Sequence, residues 1–214
     1  MDEREIRKLV EAAVERLMPK LSAAPCKGIP LEVSARHVHL TREAVAALFG
    51  QGAVLNKVKD LSQPGEFLSD KRVKLVTQKG QIDNVAVLGP ERPGMQTELS
   101  ATDCRVLGIN APVNLSGDLK GAGDVLMIGE RGMLDASGSV IIAKAHIHMT
   151  PADAACHGVS NGQSVRVEVK SARPVVLCDV VVRVSDKFSL AMHIDFDEAN
   201  ACLCQPATAV EIIR

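Results

Sequence analysis

The 214-residue sequence predicts a mainly β protein built as two units with short helices, and three observations carry that expectation. Apolar and polar residues alternate over short runs, which is the strand period. Glycine and proline interrupt those runs at close intervals, as they do between the strands of small barrels. A strand ending in His-x-His, followed by a threonine and a helical pattern, occurs twice: at Ala35-Arg36-His37-Val38-His39-Leu40-Thr41 and at Ala145-His146-Ile147-His148-Met149-Thr150. A repeat set about half the chain apart favours two domains over one.

Taken in order, residues 1–21 place Ile6, Leu9, Val10, Ala13, Val14, Leu17 and Leu21 at helical spacing, with charged residues on the other side. That pattern predicts an amphipathic helix. Residues 22–28 have linker composition, so the helix reads equally as packed on its own domain or as a docking peptide for a partner. His37 and His39 follow on one strand face, and Thr41 precedes the helical pattern of residues 42–49. After a turn at Pro64-Gly65, residues 73–77 and 81–88 read as strands joined at Lys79-Gly80. They lead into a Pro- and Gly-punctuated loop holding Arg92 and Glu98, the kind of segment that carries function on a rigid sheet.

Residues 106–138 alternate short apolar runs with glycine turns, as in a small barrel. Gly121-Ala122-Gly123 is a simple turn, because no third glycine falls at Leu126 to complete a dinucleotide fingerprint. In the second half Thr150-Pro151-Ala152-Asp153 is a capping box with proline at the first helical position. Residues 164–170 alternate valine with polar residues, and residues 175–184 form the next strand. Residues 190–196 put His193 on the face opposite Met192, Ile194 and Phe196. Asp197 is the expected cap of a short helix containing Glu198, Ala199 and Asn200. His157, beside Gly158 at a helix end, reads as structural.

Composition narrows the function. Apolar residues make up 46% of the chain and aromatics 2%, so the core must be aliphatic. The formal net charge of -1 gives no field for nucleic acid, and four phenylalanines leave little for base stacking. Local basic clusters remain suited to a phosphorylated small molecule. No apolar run suits a membrane span, and a terminus charged from Asp2 onward is not a secretory signal, so a protein of the cytosol or enclosed within the cell is expected. Cys26, Cys104, Cys156, Cys178, Cys202 and Cys204 lack C-x-x-C spacing and are expected as reduced, mostly buried thiols.

His37, His39, His146, His148 and His193, with Glu98, are too many ligands for one tetrahedral zinc with an open position, but they suit two metals. Imidazole-rich ligation points first to zinc, with Co, Ni or Mn as alternatives. A structural site would be closed by cysteine; none lies nearby, which favours a catalytic role.

The motifs Ser34-Ala35-Arg36-His37-Val38-His39-Leu40, Arg92-Pro93-Gly94-Met95-Gln96-Thr97-Glu98, Ala145-His146-Ile147-His148-Met149 and Met192-His193-Ile194-Asp195 with Asn200 closely resemble the PduL-type phosphotransacylases (phosphate propanoyltransferases). The resemblance covers essentially the whole chain from about Ile29. It implies two small β-barrel domains with short capping α-helices and a two-zinc site between them: residues 22–36 with 144–214 as one barrel, and residues 37–143 as an inserted second. It implies that His37, His39 and Glu98 hold one zinc, that His146, His148 and His193 hold the other, and that Arg92 binds phosphate. Ser34, Lys59, Lys79, Leu88 and Asn200 would contact coenzyme A. The implied reaction is acyl-CoA plus phosphate giving acyl phosphate plus coenzyme A, with a short acyl chain such as propanoyl or acetyl, in propanediol degradation or a related process. Residues 1–21 would be an encapsulation helix binding shell or lumen proteins, placing the enzyme in a bacterial microcompartment or the cytoplasm, with a homo-oligomer among the expected assemblies. The competing expectations are a zinc-dependent hydrolase of a thioester, ester or amide, and a non-catalytic metal-binding scaffold.

Overall fold

The computed structural model describes residues 26–213, and its strands follow the alternation of the sequence. The predicted amphipathic helix of residues 1–21 lies outside the described residues. In chain order the elements are β1 (Ile29–Ser34), β2 (His37–His39), α1 (Arg42–Phe49), β3 (Lys57–Asp60), β4 (Phe67–Val76), β5 (Gln81–Gly89), β6 (Gln96–Leu99) and α2 (Ala101–Leu107). There follow β7 (Val113–Asn114), β8 (Leu126–Ile128), β9 (Met133–Asp135), β10 (Val140–Ala143), β11 (His146–Met149) and α3 (Pro151–His157). The chain ends with β12 (Ser164–Lys170), β13 (Val175–Val184), β14 (Ala191–Asp195), α4 (Phe196–Cys202) and β15 (Ala209–Ile213).

Six strands close into a barrel in the order β1-β14-β11-β13-β12-β15. The others form a second, open sheet in the order β7-β10-β6-β2-β5-β4-β8-β9, with β3 attached to β4. Alternation decides which side chains go inside. In β12, Val165, Val167 and Val169 are buried, while Ser164, Arg166 and Lys170 are exposed. The barrel core gathers Ile147, Met149, Val167, Val180, Val182 and Met192, and the second core gathers Val38, Leu40, Leu48, Leu75, Leu107 and Met127. Each such aliphatic side chain contributes about 1.5–3 kcal/mol by leaving water, which lets a chain almost without aromatics hold its core.

The two sheets share a pairing plan. In the open sheet β10 runs parallel to β6, β6 antiparallel to β2, β2 parallel to β5, and β5 antiparallel to β4. In the barrel the same sequence of pairings runs β1, β14, β11, β13, β12. The His-x-His strands β2 and β11 therefore occupy matching places.

Each helix among the described residues starts where a strand ends, on a side chain that accepts a hydrogen bond from the first turn: Thr41, Ser100, Thr150 and Asp195. Thr150 and Asp153 form the reciprocal box read from the sequence, and Pro151 opens the helix. Two helix starts differ from expectation. Helix α4 is capped by Asp195 rather than Asp197, because the strand ends there and Glu198 then stands at the position that returns the bond. Helix α2 was not anticipated, since its seven residues are too few to show a helical period, although Ser100 and Asp103 form a full capping box.

The expectation of reduced thiols fails for one pair: Cys26 and Cys156 form a disulfide, with their Cα atoms 5.8 Å apart. Cys26 precedes β1 and Cys156 sits near the end of α3. Closure of the barrel brings together residues 130 positions apart, which spacing rules do not register. Cys104 and Cys202 are free and buried, as expected, while Cys178 is free and exposed.

Candidate functional site

The strand period puts His37 and His39 on one face of β2 and buries Val38 on the other; the antiparallel register places Glu98 of β6 opposite His37. In the barrel His146 and His148 share a face of β11, and His193 of β14 stands opposite His146. The structure thus gathers the six expected ligands into two groups, His37, His39, Glu98 and His146, His148, His193, with ligand atoms within 4.8 Å of one another in each. All are buried except the half-buried His193. Within the second group the ring centroids lie 4.7 to 5.2 Å apart.

The leading histidine of each group is held alike. His37 Nδ1 lies 2.7 Å from the Ala35 carbonyl oxygen and His146 Nδ1 2.8 Å from that of Lys144. A carbonyl only accepts, so the proton sits on Nδ1 and the Nε2 lone pair is offered to the site. In His37 that nitrogen faces a Glu98 carboxylate oxygen at 3.6 Å, a contact between two electron-rich atoms that a cation relieves. Among the described residues His39 Nδ1 and both ring nitrogens of His148 are buried without a hydrogen-bond partner. Buried polar atoms are rarely left so, and orphaned nitrogens beside two further ligands fit a metal.

Electrostatics agree with neutral, ligating rings. Burial, then the charges of His37 and Arg92, lower the pKa of His39 to about 2. Burial, then His146, His193 and Arg183, lower that of His148 to about 3, and burial chiefly takes His193 to about 4. Burial alone would raise the pKa of Glu98. The combined pull of His37, a Ser116 hydrogen bond, His146 and Arg92 prevails and lowers it.

Both groups meet at a cavity of about 700 Å³ whose wall includes His37, His146, His148 and His193. Arg92 is also on this wall, its backbone N–H donating to Leu40 O at 2.9 Å. Its guanidinium donates to Glu66 at 2.5 Å and, more weakly, to the Ser116 hydroxyl at 3.4 Å. Gln96 donates to Glu98 Oε1 at 2.5 Å and to Ser116 at 2.8 Å, and accepts from the Gly117 N–H, which fixes the carboxylate from behind. Gln63 exchanges two hydrogen bonds with the backbone of Ser189, tying the wall segment that carries Glu66 to the barrel.

Of the residues expected at coenzyme A, Ser34, Lys59 and Leu88 line this cavity. Lys79, exposed in the turn between β4 and β5, and Asn200, exposed on α4, do not. Sequence reasoning passed over Gln63, Glu66, Gln96, Ser116, Arg183 and Phe188. Gln96 was within reach of it, since alternation puts Gln96 and Glu98 on one face of β6. The others approach from loops or from a neighbouring strand, and nothing local marks them.

A family model described as phosphate propanoyltransferase matches residues 30–205. Among curated proteins the chain is 45% identical over 214 residues to a phosphate propanoyltransferase of Alkaliphilus metalliredigens, covering 100% of both chains. It is 48% identical over 189 residues to one of Enterococcus faecalis, covering 88% of this chain and 90% of the relative. It is 46% identical over 188 residues to one of Thermotoga maritima, covering 87% and 90%.

Proposed function

Because the chain belongs to the phosphate propanoyltransferase family, and so moves an acyl group between coenzyme A and inorganic phosphate, we propose that it works at a two-metal centre in this cavity, with Arg92 binding the phosphate. One observation carries the reading: two separate His-rich groups and a guanidinium face the same space. In the reaction a phosphate oxygen forms a bond to the thioester carbonyl carbon, the C–S bond breaks, and coenzyme A leaves as the thiolate. His37, His39 and Glu98 would hold one divalent ion and His146, His148 and His193 the other. Zinc is preferred, and Co, Ni or Mn suit the same nitrogen-rich donors. Such ions, when bound, polarise a carbonyl and stabilise anionic oxygen or sulfur.

The chain's own residues do the positioning. Arg92 offers a planar pair of donors to a phosphate that would otherwise be repelled by Glu66 and Glu98. Glu66 and Ser116 hold that plane still, and Gln96 holds Glu98. Ser34, Lys59 and Leu88 supply a hydroxyl, a cation and an apolar surface for coenzyme A along the wall; Lys79 and Asn200 lie off that wall and take no part in this reading. A short acyl chain such as propanoyl suits the family's name. Residues 22–36 with 144–214 read as one unit and residues 37–143 as its insertion, supported by which strands join which sheet. Residues 1–21 read as a docking helix for shell or lumen proteins of a bacterial microcompartment, a reading carried by their amphipathic pattern.

Arg92→Ala tests the assignment. It should cut turnover by about 10²-fold or more and raise the phosphate requirement, given roughly 2 to 5 kcal/mol for losing a desolvated charged contact. Metal content should stay the same, because arginine is no ligand. Arg92→Lys should recover only part of the activity, since it restores charge but not the two-pronged geometry. A hydrolase needs no anion-binding cation, so wild-type cleavage of propanoyl-CoA that is equally fast without phosphate, or unchanged phosphate dependence in Arg92→Ala, would favour that reading instead.

A further inference from the structure

We propose that Arg183 is a second phosphate-binding residue, closing on the anion from the barrel wall opposite Arg92; the proposal rests on the acyl-transfer reading of the same cavity. The shared pairing plan of the two sheets identifies it. Next to the second histidine of each His-x-His strand runs a parallel neighbour, and the residue in register is Leu88 beside His39 in the open sheet but Arg183 beside His148 in the barrel. Residues in register across parallel strands point to the same side, so Arg183 lies on the histidine face while Val182 is buried on the other. Equivalent places in two matching sheets thus hold an isobutyl group and a guanidinium, and both line the cavity.

The surroundings of Arg183 are those of a cation kept ready for an anion. It is half-buried, yet among the described residues its side chain makes no ion pair and no hydrogen bond. What holds it is Phe188, whose ring lies 5.7 Å from the guanidinium carbon and whose centroid is 4.2 Å from that of His148. An aromatic face attracts the cation without using its N–H groups, which stay free for a planar bidentate contact. Arg92, by contrast, is already paired with Glu66, so its positive charge is largely balanced before any substrate arrives. A phosphate dianion placed there needs charge from elsewhere. Lys187, also on the wall, is exposed and therefore well solvated, whereas Arg183 is shielded. Arg92 and Arg183 line the same cavity, and burial foremost, with Arg92 adding to it and Glu98 and Glu66 opposing it, lowers the pKa of Arg183. An anion between the two guanidinium groups is attracted by both.

The alternative ligand is the diphosphate of coenzyme A. The register of Arg183 with His148 places it instead at the histidine end of the wall, where the acyl group changes hands.

The experiment measures initial rates of the full-length, metal-loaded enzyme and of Arg183→Gln, varying phosphate at saturating propanoyl-CoA and then the reverse. Arg183→Gln should raise KM for phosphate by about 10- to 100-fold, the range for losing a hydrogen bond to a charged group, and leave KM for propanoyl-CoA unchanged. Arg183→Lys, which keeps the charge and most of the side-chain length, should fall between the two and serves if the glutamine variant does not fold; zinc content and melting temperature identify folded samples. An unchanged KM for phosphate in a folded variant, or a rise confined to KM for propanoyl-CoA, overturns the proposal. If Arg92→Ala raises KM for phosphate while the Arg183 variants do not, the second clamp fails and the acyl-transfer site stands. If the wild type needs no phosphate, it is the reading of the site itself that fails.

Discussion

Glu198 shows how far burial sets ionisation at single residues. Its carboxylate accepts a hydrogen bond from the Asp195 N–H at 3.0 Å, closing the capping box of α4. Burial foremost, with the charges of Asp195 and Asp197, nevertheless pushes its pKa up to about 7, against the lowering effect of that hydrogen bond. Because the folded-state value lies above the ordinary 4.5, the folded protein holds this proton more tightly than the unfolded chain. Stability should therefore fall as pH rises from about 4.5 to about 7 and then level off. Glu198→Gln keeps an acceptor and removes the charge, so at pH 8 it should gain up to roughly 3 kcal/mol, with the gain fading towards pH 5. Melting curves of both proteins across that range measure it, and a difference independent of pH would contradict it. The side chains that gather into the two His-rich groups were legible as single residues, because strand alternation encodes which face each occupies. Ser116, Phe188 and the Cys26–Cys156 pair were not, since their partners are distant in sequence and brought near only by the closed sheets.

Among the described elements, the strand-to-helix junction recurs four times, and the sequence revealed three of them, missing α2 although Ser100 caps it. It misplaced α4 by two residues because Asp195 and Asp197 are both competent caps and only the end of the strand decides between them. The barrel closes within the described residues. From Ile29 onward β1 already pairs with β14 on one side and β15 on the other, which completes the barrel without residues 1–21. Deleting those residues should leave kcat/KM and the melting temperature nearly intact but abolish co-assembly with shell or lumen proteins. Loss of activity or folding in the truncated protein would make the segment part of the core.

At the scale of the whole molecule, the paired His-x-His motifs made a two-part architecture visible, the return of β1 to the C-terminal strands entered only through the family resemblance, and the parallel pairings were not legible at all. Hydrophobic period reports which face of a strand is buried and says nothing about which strand lies beside it. Two like halves that each present one candidate metal-binding group to a shared cavity imply a defined metal stoichiometry. Elemental analysis of the purified full-length protein, alongside His148→Ala, tests it most directly. The wild type should carry close to two zinc equivalents and the folded variant, whose His37, His39 and Glu98 group is untouched, about one. One metal or none in undamaged wild-type protein, or loss of both from His148→Ala, would contradict it.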